Sequence, residues 1–228
     1  MLKFANFVVL HSCTVCVVNN RGASDIPSAS SKFTHPADCS DLHFVLKTIR
    51  DRYIDSKIIA IGASLGGILI SRYLIESGKD SNLDAALLFS VPWNLRATIK
   101  NIEKPGFGQL FNRQLTRCKI KRIKRDLAVL EPEAKRNGVD MKQVLISKRM
   151  EELLFNFTVK MTGFASLDDY YRETDLTGKI HMIKRPVLCV STADDIVVPE
   201  QCKSIQVTFN ESLICGLRPA TRIHNFFQ

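Results

Sequence analysis

Gly62-Ala63-Ser64-Leu65-Gly66-Gly67 follows the apolar run Lys57–Ile61 (KIIAI). It opens a stretch, Gly66–Ser77, with the apolar spacing of a helix and Gly78 as its C-terminal stop. A strand that turns sharply into a helix crowds its own backbone. Glycines two residues before and after the serine remove side chains that would clash, and the turn presents the hydroxyl outward. A serine hydroxyl is a weak nucleophile until a base takes its proton. The turn also puts the Leu65 amide at a helix N-terminus, where it can donate to an oxyanion. Two other readings compete. A dinucleotide loop needs G-x-G-x-x-G, and Ser64 stands at its second glycine; no Gly-Lys-Ser/Thr follows for a Walker loop. The last reading is a tight structural turn without chemistry.

Outward from this turn, Ala85–Val91 (AALLFSV) and Pro186–Val190 (PVLCV) read as buried strands, and Ser212–Leu217 as one more. Thr14–Val18 reads as a buried strand that stops at the turn Asn19–Gly22, before a polar loop, Ala23–Asp38. Leu42, Phe44, Val45, Ile49 and Tyr53 recur at helical spacing, which predicts a helix over Asp41–Tyr53. From Leu95 to Gly178 the pattern turns helical, basic and irregular, with breaks at Pro105-Gly106, Pro132 and Asn137-Gly138. The expectation is a single α/β domain over residues 1–228, with a mostly parallel sheet, helices on both faces and a helical insertion at about 95–178. A length of 228 residues suits one such domain, and 45% hydrophobic against 24% charged residues excludes a disordered chain.

Seven cysteines are scattered, and Cys13-x-x-Cys16 has no second pair to complete a zinc site. No metal or cofactor is therefore expected, and reduced thiols favour the cytosolic side of a membrane. Residues 4–18 are too mixed and too short to span a bilayer. The formal net charge of +9 favours anionic partners. Arg117, Lys119, Lys121, Arg122, Lys124 and Arg125 concentrate it, either facing anionic lipid or as a solvated helix face. No nucleic-acid motif accompanies them, so nucleic acid is not expected. Phe155, Phe157, Met161 and Phe164 fit an acyl pocket or plain core packing.

A triad in the order Ser, Asp, His needs its acid at the end of a later strand. Asp195 in Ser191–Pro199 fits, with Asp194 as alternate; a loop-capping turn is the structural reading of both. His11, His35 and His43 precede the serine and His181 precedes the acid. That leaves His224, 29 residues beyond Asp195, whose plain reading is a solvated side chain near a terminus.

Five stretches then occur in order: Val17–Gly22, Gly62–Gly67, Phe89-Ser90-Val91-Pro92-Trp93-Asn94, Ser166-Leu167-Asp168-Asp169-Tyr170-Tyr171 and Val187–Pro199. Together they resemble the membrane-anchored AB-hydrolase lipases, relatives of the bacterial YheT-like esterases, from about residue 13 to residue 200. The resemblance implies a partial α/β-hydrolase fold and an acyl-enzyme ester hydrolase with Ser64 as nucleophile, Asp195 as acid and Leu65 in the oxyanion hole. It implies acyl-ester or phospholipid substrates, no cofactor and no obligate protein partner. The family's members carry a membrane anchor, so this chain is expected in the cytoplasm or at a membrane periphery. No family counterpart for the second oxyanion donor precedes residue 13, and His224 lacks the glycines that flank the family's histidine. On this reading the chain is incomplete at both ends. The alternative is a catalytically impaired fragment acting as a lipid-binding or interaction module.

Overall fold

The computed structural model describes residues 13–23, 27–192 and 194–199, and the backbone course of Leu213–Arg218. Four short strands, β1 (Ile59–Ala63), β2 (Ala85–Phe89), β3 (Val187–Thr192) and β4 (Leu213–Arg218), pair in parallel in the order β1-β2-β3-β4. Parallel neighbours require crossovers, and crossovers are right-handed. Since β1, β2 and β3 each add on the same side of the last, the right-handed crossovers between them fall on one face. Helices α1 (Ser40–Arg52) and α2 (Leu65–Ser77) pack there. Ile68, Leu74, Leu83, Leu88 and Val187 form the buried core between them and the sheet. The expected helices on both faces are met on this face. Among the described residues the other face keeps Ile59, Ile61, Phe89 and Leu188 exposed.

Between β2 and β3 the chain is helical: α3 (Leu95–Glu103), α4 (Phe107–Arg125), α5 (Leu127–Arg136), α6 (Met141–Ile146), α7 (Met150–Leu153), a π-helical turn over Leu154–Val159, α8 (Lys160–Thr162) and α9 (Leu167–Thr174). These helices bury a second core around Ile102, Leu130, Leu153, Phe157 and Tyr170. The buried Arg72 of α2 ties the two cores together. Its Nε donates to the Pro36 carbonyl at 2.9 Å, and its guanidinium donates to the Glu173 carboxylate of α9 at 2.6 Å.

Sequence expectations fail where pairing or packing outweighs residue type. Thr14–Val18 is not a buried strand: residues 13–20 form no strand, and Val17 and Val18 are exposed. A β-branched run becomes a strand only where a neighbour supplies a ladder, and none of the four strands pairs with it. The turn after it does form, with the Ala23 amide donating to the Asn20 carbonyl at 2.9 Å. Phe44 points out of α1, and Leu46 is the helix's buried side chain. Pro132 breaks nothing and lies inside α5, whereas Pro105-Gly106 and Asn137-Gly138 do separate helices.

Buried or shielded carboxylates hold segment ends in place. Asp84 accepts from the Ile58 amide and from Arg50, each at 2.8 Å, fixing the entry to β1. Those bonds, the Ile58 amide first, hold its pKa at about 2. Asp126 accepts from Arg125 and from the Ser28 hydroxyl, which ties the early loop to the insertion and also holds it at about 2. Both folded values lie below the unfolded value of about 3.9, so each carboxylate stabilises the fold above about pH 4, and that contribution is lost as pH falls through about 2. Urea midpoints should therefore drop between about pH 5 and about pH 2, and Asp84→Asn should flatten part of that dependence. An unchanged pH profile in the mutant would remove Asp84 from this role.

Candidate active site

Ser64 sits between β1 and α2 at φ 50°, ψ −118°, a left-handed conformation that costs a residue with a side chain on the order of 1–3 kcal/mol. Its amide donates to the Phe89 carbonyl of β2 at 3.0 Å, and its carbonyl accepts from the Ile68 amide at 3.1 Å. Backbone bonds on both sides thus lock the turn. The serine is exposed, and its side chain does not cap α2. No acidic residue stands in the first turn of α2 to compete for the dipole there. Leu65 is the first residue of that helix, so its amide belongs to the turn that lacks intrahelical partners.

The glycines do not share the work as the motif suggests. A Cβ on Gly62 would lie 2.6 Å from Ile70 Cδ1 and 2.8 Å from the Gly66 carbonyl carbon and oxygen. A Cβ on Gly67 would meet Val91 Cγ2 at 2.5 Å, whereas one on Gly66 meets nothing within 4 Å outside its own helix backbone. The close approaches belong to Gly62 and Gly67, one residue past the motif's second glycine.

Asp195 leaves the sheet at the same edge as Ser64. Ala63, Phe89 and Val190 are in register across β1, β2 and β3, so the two loops emerge two strands apart, about 10 Å. Asp195 Oδ1 accepts from the Val197 and Val198 amides at 2.8 and 3.1 Å, the loop-capping turn foreseen as its structural role. Asp194 is exposed. Asn101 of α3 donates to the Ile196 carbonyl at 3.0 Å and pins the acid's loop to the insertion; nothing in the sequence signals that contact. Ser90, level with Ser64 at the end of β2, also has a positive φ of 46°. Among residues with side chains, that strain is shared only by Ser64 in the described part of the chain. β4 is parallel to β3 and ends at Arg218 at the same edge, six residues before His224. His224 itself lies outside the described residues.

Two other stretches quoted above act as helix caps. Asn94 accepts from the Ala97 amide at 2.8 Å and donates to Asp175, while Ser166 accepts from the Asp169 amide at 3.0 Å. Of the aromatic set, Phe157 is core and Phe155 is exposed. Met161 and Phe164, with Phe33 and His35, line a cavity of about 410 Å³. Burial there lowers the His35 pKa to about 4, which keeps its imidazole neutral. In the basic cluster Arg125 is paired with Asp126 and Lys119 is half-buried, while Arg117, Lys121, Arg122 and Lys124 are exposed.

No family model matches the chain. Phospholipase ABHD3 of Mus musculus is 32% identical over 192 residues, covering 84% of this chain and 46% of that protein. YheT of Escherichia coli (strain K12), named as an esterase, is 27% identical over 185 residues, covering 81% and 53%. The chain thus spans about half the length of the curated relatives it matches. An α/β fold family hydrolase from Bacillus anthracis str. Sterne superposes with a TM-score of 0.50 at 15% identity, over 87% of this chain and 72% of that one. That likeness shows the fold.

The elbow geometry sets a ranking. Gly62→Ala should cost about 1–3 kcal/mol, because backbone at 2.8 Å cannot step aside. Gly66→Ala should be neutral or stabilising by up to about 1 kcal/mol, as in any open helical position. Chemical denaturation of the two variants decides it, and the reverse order would refute the close approach at Gly62.

Proposed function

Because the chain belongs to the α/β-hydrolase fold family of esterases and lipases, we propose that Ser64 is the nucleophile of a carboxylic-ester hydrolase acting on acyl lipids, phospholipids foremost. The observation that carries this reading is the strained, exposed Ser64 at the N-terminus of α2, on the sheet edge that also bears the Asp195 loop. Strain at a residue that could be glycine persists where function requires the side chain. In the proposed mechanism Ser64 Oγ attacks the ester carbonyl while His224 takes its proton. The Leu65 amide donates to the resulting oxyanion. The tetrahedral intermediate collapses, the alcohol leaves with the proton from His224, and water then releases the acid from acyl-Ser64. Asp195 holds the imidazole in its working tautomer. The name of the ABHD3 relatives supports a phospholipid substrate.

Labelling by a fluorophosphonate tests the nucleophile. Label and esterase turnover should both disappear in Ser64→Ala with the fold retained. Asp195→Asn should cut turnover by up to about 10⁴-fold, and Asp194→Asn far less. Retained turnover in Ser64→Ala would end the assignment, and the opposite ranking of the two aspartates would move the acid to Asp194.

One surface favours a membrane as the place where such a substrate is met. Helix α4 exposes Phe107, Leu110 and Phe111 at its N-terminal end, and Arg117, Lys121, Arg122 and Lys124 further along. Apolar side chains beside cations suit the boundary between acyl chains and anionic head groups. Among the described residues no helix is long and apolar enough to cross a membrane. The chain should co-sediment with anionic vesicles more than with neutral ones, each exposed cation contributing on the order of 1 kcal/mol and salt weakening the effect. Phe107→Ser with Leu110→Ser should weaken binding to both. Equal sedimentation with the two vesicle types at low salt would count against adsorption.

A further inference from the structure

Three side chains with metal-binding chemistry converge where α1 crosses the far end of α2. Cys39 is the N-cap residue of α1, and His43 lies one turn on, its amide donating to the Cys39 carbonyl at 3.0 Å. The two side chains therefore share a face of the helix. Glu76 comes from the last turn of α2. Its Oε2 is 3.1 Å from Cys39 Sγ and 3.3 Å from His43 Nε2, and all three donor atoms lie within 4.8 Å of one another. We propose that Cys39, His43 and Glu76 form a three-ligand site for a zinc-type divalent ion, with water as the fourth ligand.

The distances fit the ion. With Zn–N and Zn–O near 2.0 Å and Zn–S near 2.3 Å, the edges of a tetrahedral site are about 3.3–3.5 Å. The two separations from Glu76 Oε2, 3.1 and 3.3 Å, lie close to those edges. The set is one soft thiolate, one imidazole and one carboxylate, which selects zinc over magnesium or calcium. Thiolate and carboxylate together neutralise the ion's charge. Cys39 is buried, while His43 and Glu76 keep 41% and 44% of their side-chain surface exposed, so solvent reaches the open coordination position. The ligands are also held from behind. Arg72, bound to Glu173, lies 3.4 Å from Glu76 Oε1, the oxygen turned away from the cysteine and histidine. The Tyr73 ring meets the His43 ring edge-on at 4.5 Å.

Opposing this, burial and the neighbouring Glu76 carboxylate push the Cys39 thiol above its ordinary value. A coordinated ion reverses that preference, because a metal-bound thiol is deprotonated outright; binding releases the thiol proton to solvent. Glu76 lies 12 residues along α2 from Ser64, about 18 Å at 1.5 Å per residue. The site is therefore separate from the ester chemistry. The ion would staple α1 to the helix that presents the nucleophile.

The test uses purified chain of residues 1–228, reduced and stripped with chelator, titrated with Zn²⁺ and Co²⁺. One equivalent of zinc should bind and raise the melting temperature reversibly, while Mg²⁺ and Ca²⁺ should do neither. Cobalt should give a sulfur-to-metal charge-transfer band. Cys39→Ser should abolish that band, and His43→Gln and the exposed Glu76→Gln should each weaken zinc about tenfold or more. A Cys13→Ser/Cys16→Ser double variant should keep the band and the stoichiometry, since those two exposed thiols lie close enough in sequence to bind an ion together. Absence of the band in the parent chain, its persistence in Cys39→Ser, or its loss in the double variant would each overturn the proposal.

Discussion

The close approach of Gly62 to the first turn of α2 is the constraint on which the rest of the structure depends. With 2.8 Å between a would-be Cβ and the Gly66 backbone, the strand and helix cannot be joined by a relaxed loop. The turn between them has to be a single residue in a left-handed conformation, and Ser64 takes it. That choice costs conformational energy and in return projects the hydroxyl outward from the sheet edge, beside the unpartnered amides of a helix N-terminus. The strain is borne by backbone hydrogen bonds to β2 and within α2, and by the packing of Gly67 on Val91. Strand, helix and the position of the Ser64 hydroxyl are therefore one feature rather than three.

The second constraint is direction. A sheet that grows strand by strand toward one side puts its crossovers on one face and its carboxyl ends on one edge. The edge collects Ser64, Ser90, the Asp195 loop and the exit from β4, which brings residues far apart in sequence to one side of the sheet. The helical segment between β2 and β3 is a long crossover, and through Asn101 it reaches back to hold the Asp195 loop. Among the described residues, Ile59, Ile61, Phe89 and Leu188 lie exposed on the opposite face.

Much of this was legible in the sequence because it is local. The elbow, the helix that follows it, the strands at 85–89 and 187–192, the strand at 213–218 and the helix-ending Asn137-Gly138 all announce themselves within a few residues. What was not legible depends on partners distant in the chain. Thr14–Val18 has the composition of a strand, but composition cannot supply a ladder. Pro132 has the chemistry of a break, but α5 tolerates it. The motif pattern points to Gly66, while the contact that forbids a side chain falls on Gly67, because it is set by Val91, 24 residues away. Asp195 reads correctly as a residue at a strand end, whereas the contact made by Asn101 and the approach of Glu76 to the i, i+4 pair Cys39 and His43 have no spacing signature.

Helix α2 explains why these distant contacts matter to the site. It is buried almost continuously from Gly67 to Ile75, so it cannot shift without disturbing the core. Its N-terminus carries the elbow, its middle carries Arg72, which grips the Pro36 carbonyl and Glu173 of the insertion, and its last turn carries Glu76 facing α1. All three features thus sit on one buried helix whose first turn follows the strained Ser64. Rearranging α1 or the insertion must therefore either leave α2 in place or release the turn that holds Ser64. The packing of the helix and the conformation of Ser64 are therefore coupled.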